Sequence, residues 1–273
     1  MTTVSDNDDL RPKPNTELPL QGKKALVVGI GNKDSIAFGC ARAFRAFGAD
    51  LSITYLNDKT KQFTAPLAAA LDVEDALYLP CDVREAGQIT AVFKAIEQTW
   101  GKLDILLHSI AFAPREDLHG RVTDCSLDGF LQTMDISVHS LIRMARKAEP
   151  LMKDGGAIFT MSYFGGEKVV PHYGIMGPAK AALETTARYM AYELGEKGIR
   201  VNVISPGPVM TRAASGIDRF DELLAKTKEK APARRLVTPD EVGKATAALA
   251  CDFAAVVTGE TLYVDGGYNI MAG

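Results

Sequence analysis

Cysteine, excess positive charge and long apolar runs are all scarce in this 273-residue chain, and each scarcity removes a class of function. The four cysteines, Cys40, Cys81, Cys125 and Cys251, stand far apart with no Cys-x-x-Cys pair. That spacing argues against a zinc ribbon or a dithiol redox centre and fits the reduced thiols of a cytoplasmic protein. Lys and Arg number 31 against 34 Asp and Glu, for a formal net charge of -3, and the basic residues are scattered, so no nucleic-acid footprint is expected. No run approaches the roughly 20 apolar residues that span a bilayer, so no membrane segment is expected. His108, His119, His139 and His172 have no metal-ligand spacing; they read as structural or surface residues, and no metal is expected.

What remains is an ordinary globular composition, 47% hydrophobic and 24% charged. Residues 1–19 are polar, acidic and proline-bearing, and read as a loosely ordered tail ahead of one domain over 20–273. Short Val- and Ile-rich runs alternate with segments of helical period. Strands are expected at Lys24–Ile30, Leu51–Tyr55, Ala76–Pro80, Ile105–Ser109, Ala157–Met161, Arg200–Ser205 and Thr261–Val264. Helices are expected at Ser35–Phe47, Lys59–Leu71, Ala86–Trp100, Gly129–Met152, Tyr173–Gly195, Asp218–Lys230 and Pro239–Asp252. Such alternation predicts right-handed crossovers and a doubly wound, Rossmann-like parallel sheet of about seven strands with helices on both faces. Two connections are long, Ala111–Asp128 and Pro206–Thr238. Both follow strand ends, where open parallel sheets place ligands, and 206–238 is the candidate substrate segment.

The turn after the first strand reads Gly29-Ile30-Gly31-Asn32-Lys33-Asp34-Ser35-Ile36-Ala37-Phe38-Gly39. Glycines there let the backbone approach a pyrophosphate, whose charge the free N–H groups of a helix start would bind. The turn is neither a strict Gly-x-Gly-x-x-Gly nor a phosphate loop. Cys81-Asp82-Val83 ends the third strand, where a carboxylate is placed to accept an adenine amino group. His108-Ser109-Ile110-Ala111 ends the fourth, Ser205-Pro206-Gly207-Pro208 the sixth and Val264-Asp265-Gly266-Gly267 the last.

Tyr173 and Lys180 stand seven residues apart. On a helix, seven steps of about 100° fall about 20° short of two turns, so both would share a face. A neighbouring ammonium favours the ionised form of a phenol and would make Tyr173 a better proton donor or oxyanion partner. Tyr163 adds a second phenol upstream.

Together, and in this order, these motifs resemble the short-chain dehydrogenase/reductase superfamily from about Leu20 to Gly267. That superfamily usually has its tyrosine four residues before the lysine and a serine thirteen before the tyrosine. Here those places hold Met176 and Tyr163. Tyr-x6-Lys with a further tyrosine ten residues upstream is instead similar to the divergent branch of bacterial enoyl-acyl-carrier-protein reductases. The Gly-x5-Ser-Ile-Ala-x-Gly turn, Ser109-Ile110-Ala111-Phe112-Ala113-Pro114 and Arg212-Ala213-Ala214-Ser215-Gly216-Ile217 look like that family too.

The resemblance implies NADH-dependent reduction of the trans-2 double bond of an enoyl thioester on acyl carrier protein, by a cytoplasmic homotetramer. It implies catalytic roles for Tyr163, Tyr173 and Lys180, with Tyr173 holding the developing enolate oxygen and Lys180 the nicotinamide ribose. Cofactor contacts are implied for Gly29, Gly31, Ser35, Ile36, Asp82, Val83, Ser109, Ile110, Ala111, Lys180, Pro206, Gly207, Val209 and Thr211. Substrate contacts are implied for Ala111, Tyr163, Tyr173, Met176, Ile217 and Phe220. The second strand ends Thr54-Tyr55-Leu56-Asn57-Asp58 with no cation before Lys59 to take a 2′-phosphate, which favours NADH over NADPH. The segment from Val209 to Lys230, with Leu223 and Leu224 on its apolar side, is expected to order over bound ligands. Acyl carrier proteins are acidic and favour a basic docking face. Here the helix by the entrance begins Asp218-Arg219-Phe220-Asp221-Glu222 and turns basic only at Lys226, Lys228, Lys230, Arg234 and Arg235. The rival readings are a carbonyl or alcohol oxidoreductase of the same superfamily and a non-catalytic dinucleotide sensor.

Overall fold

A computed structural model describes residues 17–211 and 220–271. Seven strands form one all-parallel sheet: β1 Lys24–Val28, β2 Asp50–Tyr55, β3 Tyr78–Pro80, β4 Ile105–His108, β5 Gly156–Met161, β6 Ile199–Pro206 and β7 Thr261–Val264, in the spatial order β3-β2-β1-β4-β5-β6-β7. Alternate residues point to opposite faces of a strand, and here both sets are apolar. Leu26, Val28, Leu106, Ile158, Val201 and Val203 enter one core; Ala25, Val27, Ile105, Leu107, Ala157 and Phe159 enter the other. The sheet is therefore buried on both sides, as continuous apolar strands require. One face is covered by α3 Gln88–Trp100, α5 Leu127–Met134, α6 Ser140–Ala148 and α7 Met176–Gly195, the other by α1 Ile36–Ala46, α2 Asp58–Ala70 and α9 Pro239–Ala250.

The expected helix over Gly129–Met152 is a composite. A π-helical turn, Asp135–His139, joins α5 to α6, and a 3-10 turn, Glu149–Leu151, ends the run. The long connection after β4 contains a short helix, α4 Arg115–His119. The helix α8 spans Phe220–Lys230, and its expected first two residues lie outside the described residues, as does most of the 1–19 tail.

Helices α1 and α9 meet backbone to backbone. A Cβ on Gly39 would lie 2.1 Å from the carbonyl oxygen of Pro239, and one on Gly243 would lie 2.2 Å from that of Gly39. Replacing Gly39 with alanine is expected to destabilise the protein by about 3 kcal/mol or more, because forced separation of packed helices outweighs the gain of up to about 1 kcal/mol in helix propensity. Thermal or denaturant unfolding checks this; an unchanged midpoint would show that α1 and α9 separate freely.

Candidate active site

The order reverses between β1 and β4, where the chain leaves β1 for β2 on one side and β4 lies on the other. This opens a crevice at the carboxyl ends of the strands. Gly29 sits at its base with φ +109°, and a Cβ there would lie 2.0 Å from the Ser109 carbonyl oxygen. Only glycine lets these two strand ends approach so closely. Next along the turn, Gly31 faces open space. Ser35 caps α1: its hydroxyl accepts from the Phe38 N–H and donates to the Asn32 carbonyl. The predicted residues Gly29, Gly31, Ser35 and Ile36 thus share one strand–turn–helix, and Ser109, Ile110 and Ala111 continue from β4 beside it.

Across β2, the Asp82 carboxylate is buried and held by Arg84, whose Nε lies 3.0 Å from Oδ1 and whose terminal nitrogen lies 2.6 Å from Oδ2. That hydrogen bond, with those of the Arg84 backbone, holds its pKa below the usual carboxylate range despite burial. The Val83 carbonyl accepts from Arg143 of α6 at 2.9 Å. At the far side, Pro206 ends β6, Gly207 follows it and Val209 is buried just beyond. Thr211 is half-buried, whereas Ile217 and the Arg212-to-Ile217 motif lie outside the described residues. The expected closing segment Val209–Lys230 is described only in part; within it Phe220 and Leu224 are buried.

The expected helical start at Tyr173 is corrected by the backbone. Helix α7 begins at Met176, and Tyr173 occupies a turn between two left-handed residues, His172 at φ +64° and Gly174 at φ +48°. That conformation is unusual for a histidine. Gly174 is required sterically as well: a Cβ there would lie 2.3 Å from the Leu118 carbonyl oxygen of α4. The turn delivers Tyr173, 7% exposed, edge-on to Tyr163 with ring centroids 5.1 Å apart. The buried Tyr163 hydroxyl finds no hydrogen-bond partner among the described residues.

The expected effect of the ammonium is also corrected. Burial raises the Tyr173 pKa, and the charged forms of Tyr163 and Glu184 raise it further. Lys180 is buried too, and its Nζ donates 2.6 Å to the Met161 carbonyl at the end of β5. Burial brings its pKa down to about 8, with Glu184 opposing the shift. The phenol therefore stays protonated.

Several contacts emerge only from the structure. The Ser162 hydroxyl donates 2.5 Å to Glu184, one turn along α7 from Lys180. Phe164 packs edge-on against Tyr263 and Tyr268, and Asp265 caps the turn between those tyrosines by accepting from the N–H groups of Gly267 and Asn269. Ser205, beside Pro206, has a buried hydroxyl without a partner among the described residues. The available signals were the positions of Ser162 beside Tyr163 and of Glu184 four residues after Lys180.

A family model described as enoyl-(acyl carrier protein) reductase matches residues 29–269. An enoyl-[acyl-carrier-protein] reductase [NADH] from Nostoc is 47% identical over 255 residues, 93% of this chain and 99% of the relative. The chain belongs to this reductase family. A Rhizobium meliloti member of the same name is 46% identical over 92% of this chain and 91% of its own. Among solved structures, the Anaplasma phagocytophilum reductase in complex with NAD superposes with a TM-score of 0.90 at 45% identity, covering 96% of this chain and 99% of that one. The Bacillus cereus reductase with NADP+ and an indole naphthyridinone gives 0.91 at 45% identity, covering 94% and 100%. Met176 is buried at the start of α7, just after the Tyr173 turn.

The site fits a dinucleotide. Gly31 leaves room above the turn, and the Tyr163 and Ser205 hydroxyls are buried donors awaiting acceptors. Among the described residues, no group of three or more His, Cys, Asp and Glu is placed to hold a metal, and no helix is long and apolar enough to cross a membrane.

Proposed function

We propose that this enzyme uses NADH to reduce the trans-2 double bond of enoyl thioesters carried on acyl carrier protein, yielding the saturated acyl chain. The observation that carries this reading is the Tyr-x6-Lys pair: a protonated, buried Tyr173 packed edge-on against Tyr163, with Lys180 anchored at the end of β5. The dinucleotide supplies the hydride. As the β-carbon accepts that electron pair, negative charge gathers on the thioester carbonyl oxygen, and a preorganised donor stabilises it there. Tyr173 suits this task because burial makes its ionisation unfavourable, so it donates a hydrogen bond without surrendering its proton. A protonated group held in an apolar site acts in this way elsewhere. The α-carbon is then protonated from solvent. Tyr163 orients the oxyanion or lines the acyl pocket, with Met176 and Phe220 as apolar wall.

Lys180 holds the nicotinamide ribose hydroxyls with its ammonium. Its pKa of about 8 fixes a pH dependence. Burial depresses the value, so charge is fully present well below pH 8 and is lost as pH rises through it. The expected result is that kcat/KM for NADH, which reports the free enzyme, is level below about pH 7 and falls above about pH 8. The same depression has a second sign: the native state sheds this proton before the unfolded chain does, so stability of the cofactor-free protein rises between about pH 8 and 10.4. A flat profile across pH 8 would remove Lys180 from cofactor binding.

NADH preference is supported by Asn57, which follows β2 and is committed to capping α2 through reciprocal hydrogen bonds with Thr60. Exposed apolar side chains on α5, α6 and α7, among them Leu127, Leu131, Ile142, Tyr189 and Tyr192, support assembly as a homotetramer. The acidic start of α8 leaves Lys226, Lys228 and Lys230 as the helix's basic groups toward a carrier protein, the first two of them exposed. Lack of a described spanning helix accords with a cytoplasmic enzyme. The test is cofactor oxidation with an enoyl-carrier thioester, its coenzyme A counterpart and a panel of ketones, each with NADH and NADPH. Turnover of ketones alone would overturn the reading.

A further inference from the structure

His108 is fully buried at the end of β4, and nothing in the proposed chemistry uses it. Its Nε2 lies 2.7 Å from the Ser140 hydroxyl and its Nδ1 3.0 Å from the Thr160 hydroxyl. The hydrogen bonds fix the tautomer. Ser140 has one hydroxyl hydrogen, and it is donated to the Ile136 carbonyl at 2.6 Å. Ser140 can therefore only accept from the imidazole, so Nε2 carries the hydrogen and Nδ1 accepts from Thr160. The ring is neutral: burial, reinforced by the Lys180 charge, pulls its pKa down to about 3.

Ile136 belongs to the π-helical turn between α5 and α6. A π turn widens the helix by one residue and breaks its regular hydrogen-bond ladder, so it needs support from outside. The next residue, Ser137, performs an unusual double contact: its hydroxyl accepts from the Phe112 N–H at 3.0 Å and donates to the Phe112 carbonyl at 3.1 Å. Phe112 closes the segment Ser109-Ile110-Ala111, which leaves the end of β4 at the switch point. Asp82 follows β3, three strands from β4 across the sheet. A dinucleotide laid across the crevice with adenine near Asp82 brings its nicotinamide half to the loops after β4 and β5, where Tyr163 and Tyr173 stand.

We propose that His108 is a positioning residue for the nicotinamide half of the cofactor: it ties β4 and β5 to Ser140 and the π turn, and the turn's Ser137 clamps the loop 109–112 through the Phe112 main chain. The inference rests on the dinucleotide reading above. It explains why a neutral, doubly hydrogen-bonded imidazole stands where an apolar side chain would pack more simply, and why the helix carries a π turn at this place.

The experiment compares His108→Leu, His108→Gln and Ser137→Ala with the wild type. Equilibrium affinities are measured for NADH and for ADP-ribose, which lacks the nicotinamide, alongside kcat with an enoyl thioester and the melting temperature. Misplaced reacting groups lose rate steeply with small displacements. His108→Leu and Ser137→Ala are therefore each expected to weaken NADH binding by about tenfold and to lower kcat by about tenfold, with ADP-ribose affinity held within about twofold. His108→Gln, whose amide can donate to Ser140 and accept from Thr160, is expected to stay within about threefold of wild type. Ser137→Ala keeps the test valid if the leucine variant does not fold, because it leaves the buried imidazole network intact. NADH affinity unchanged in Ser137→Ala overturns the proposal. So does equal weakening of NADH and ADP-ribose, which would mark a general loss of structure, or a glutamine variant as impaired as leucine. Absence of enoyl reduction by the wild type would instead overturn the proposed function, while the two binding affinities would still report on the clamp.

Discussion

Replacing Tyr173 with phenylalanine is expected to lower turnover of a carrier-bound enoyl thioester by about 10²-fold or more, while NADH affinity stays within about twofold of wild type. The substitution removes the hydroxyl and keeps the ring. Packing should persist, because the ring itself makes the contacts: a Cβ on Gly165 would lie 2.5 Å from Tyr173 Cδ1, and the edge-on arrangement with Tyr163 needs no oxygen. An effect confined to kcat is the signature of an interaction made chiefly in the transition state. Single-turnover kinetics with the natural carrier substrate provide the check. Near wild-type rates would take the oxyanion role away from Tyr173.

Lys180→Met should separate stability from function. The lysine's fall from 10.5 to about 8 means that the folded, cofactor-free protein disfavours its charge. A depression of that size corresponds to about 3 kcal/mol at neutral pH. Methionine fills similar volume without charge, and the opposing cost is the Met161 carbonyl losing its partner, about 1–3 kcal/mol. The variant should therefore unfold no earlier than wild type, yet bind NADH at least about tenfold more weakly and turn over at least about 10²-fold more slowly. Titration by NADH fluorescence, beside thermal unfolding, tests both halves. If NADH affinity is retained, the ammonium is not a cofactor ligand. A variant that is simply unstable would show that the ammonium has a structural role.

Much of this architecture is legible in the sequence because the strands are apolar on both faces and each is followed by a helical period. Leu26 and Val27 look alike in composition although they enter opposite cores, and only a two-sided sheet accommodates both. The glycine turn is legible for a similar reason: Gly29 stands where two strand ends nearly touch. The spacing misplaces Tyr173 because it reports angular separation on a helix and says nothing of where the helix begins. The left-handed pair His172 and Gly174 interrupts it, and only the glycine carries a local signal of that. The partner of Lys180 was hidden for another reason, being a backbone carbonyl that every residue possesses. Hydrogen bonds between distant positions, such as Ser162 to Glu184 and His108 to Ser140, depend on register and packing. No short window of sequence contains them.

The meeting of α1 with α9 bears on how the chain is made. Phe38, Cys40 and Phe44, from the first fifth of the chain, share their core with Val242, Ala247 and Ala250, which are among its last residues. During synthesis that surface of the sheet stays uncovered until α9 has been made. At about 5–20 residues per second, the exposure lasts on the order of ten seconds or more. Nascent chains shorter than about 240 residues would thus carry a sticky flank, a natural target for chaperones that bind unfinished polypeptides. A premature stop just before α9 would leave a product prone to aggregate even though its crevice residues through β6 are already encoded.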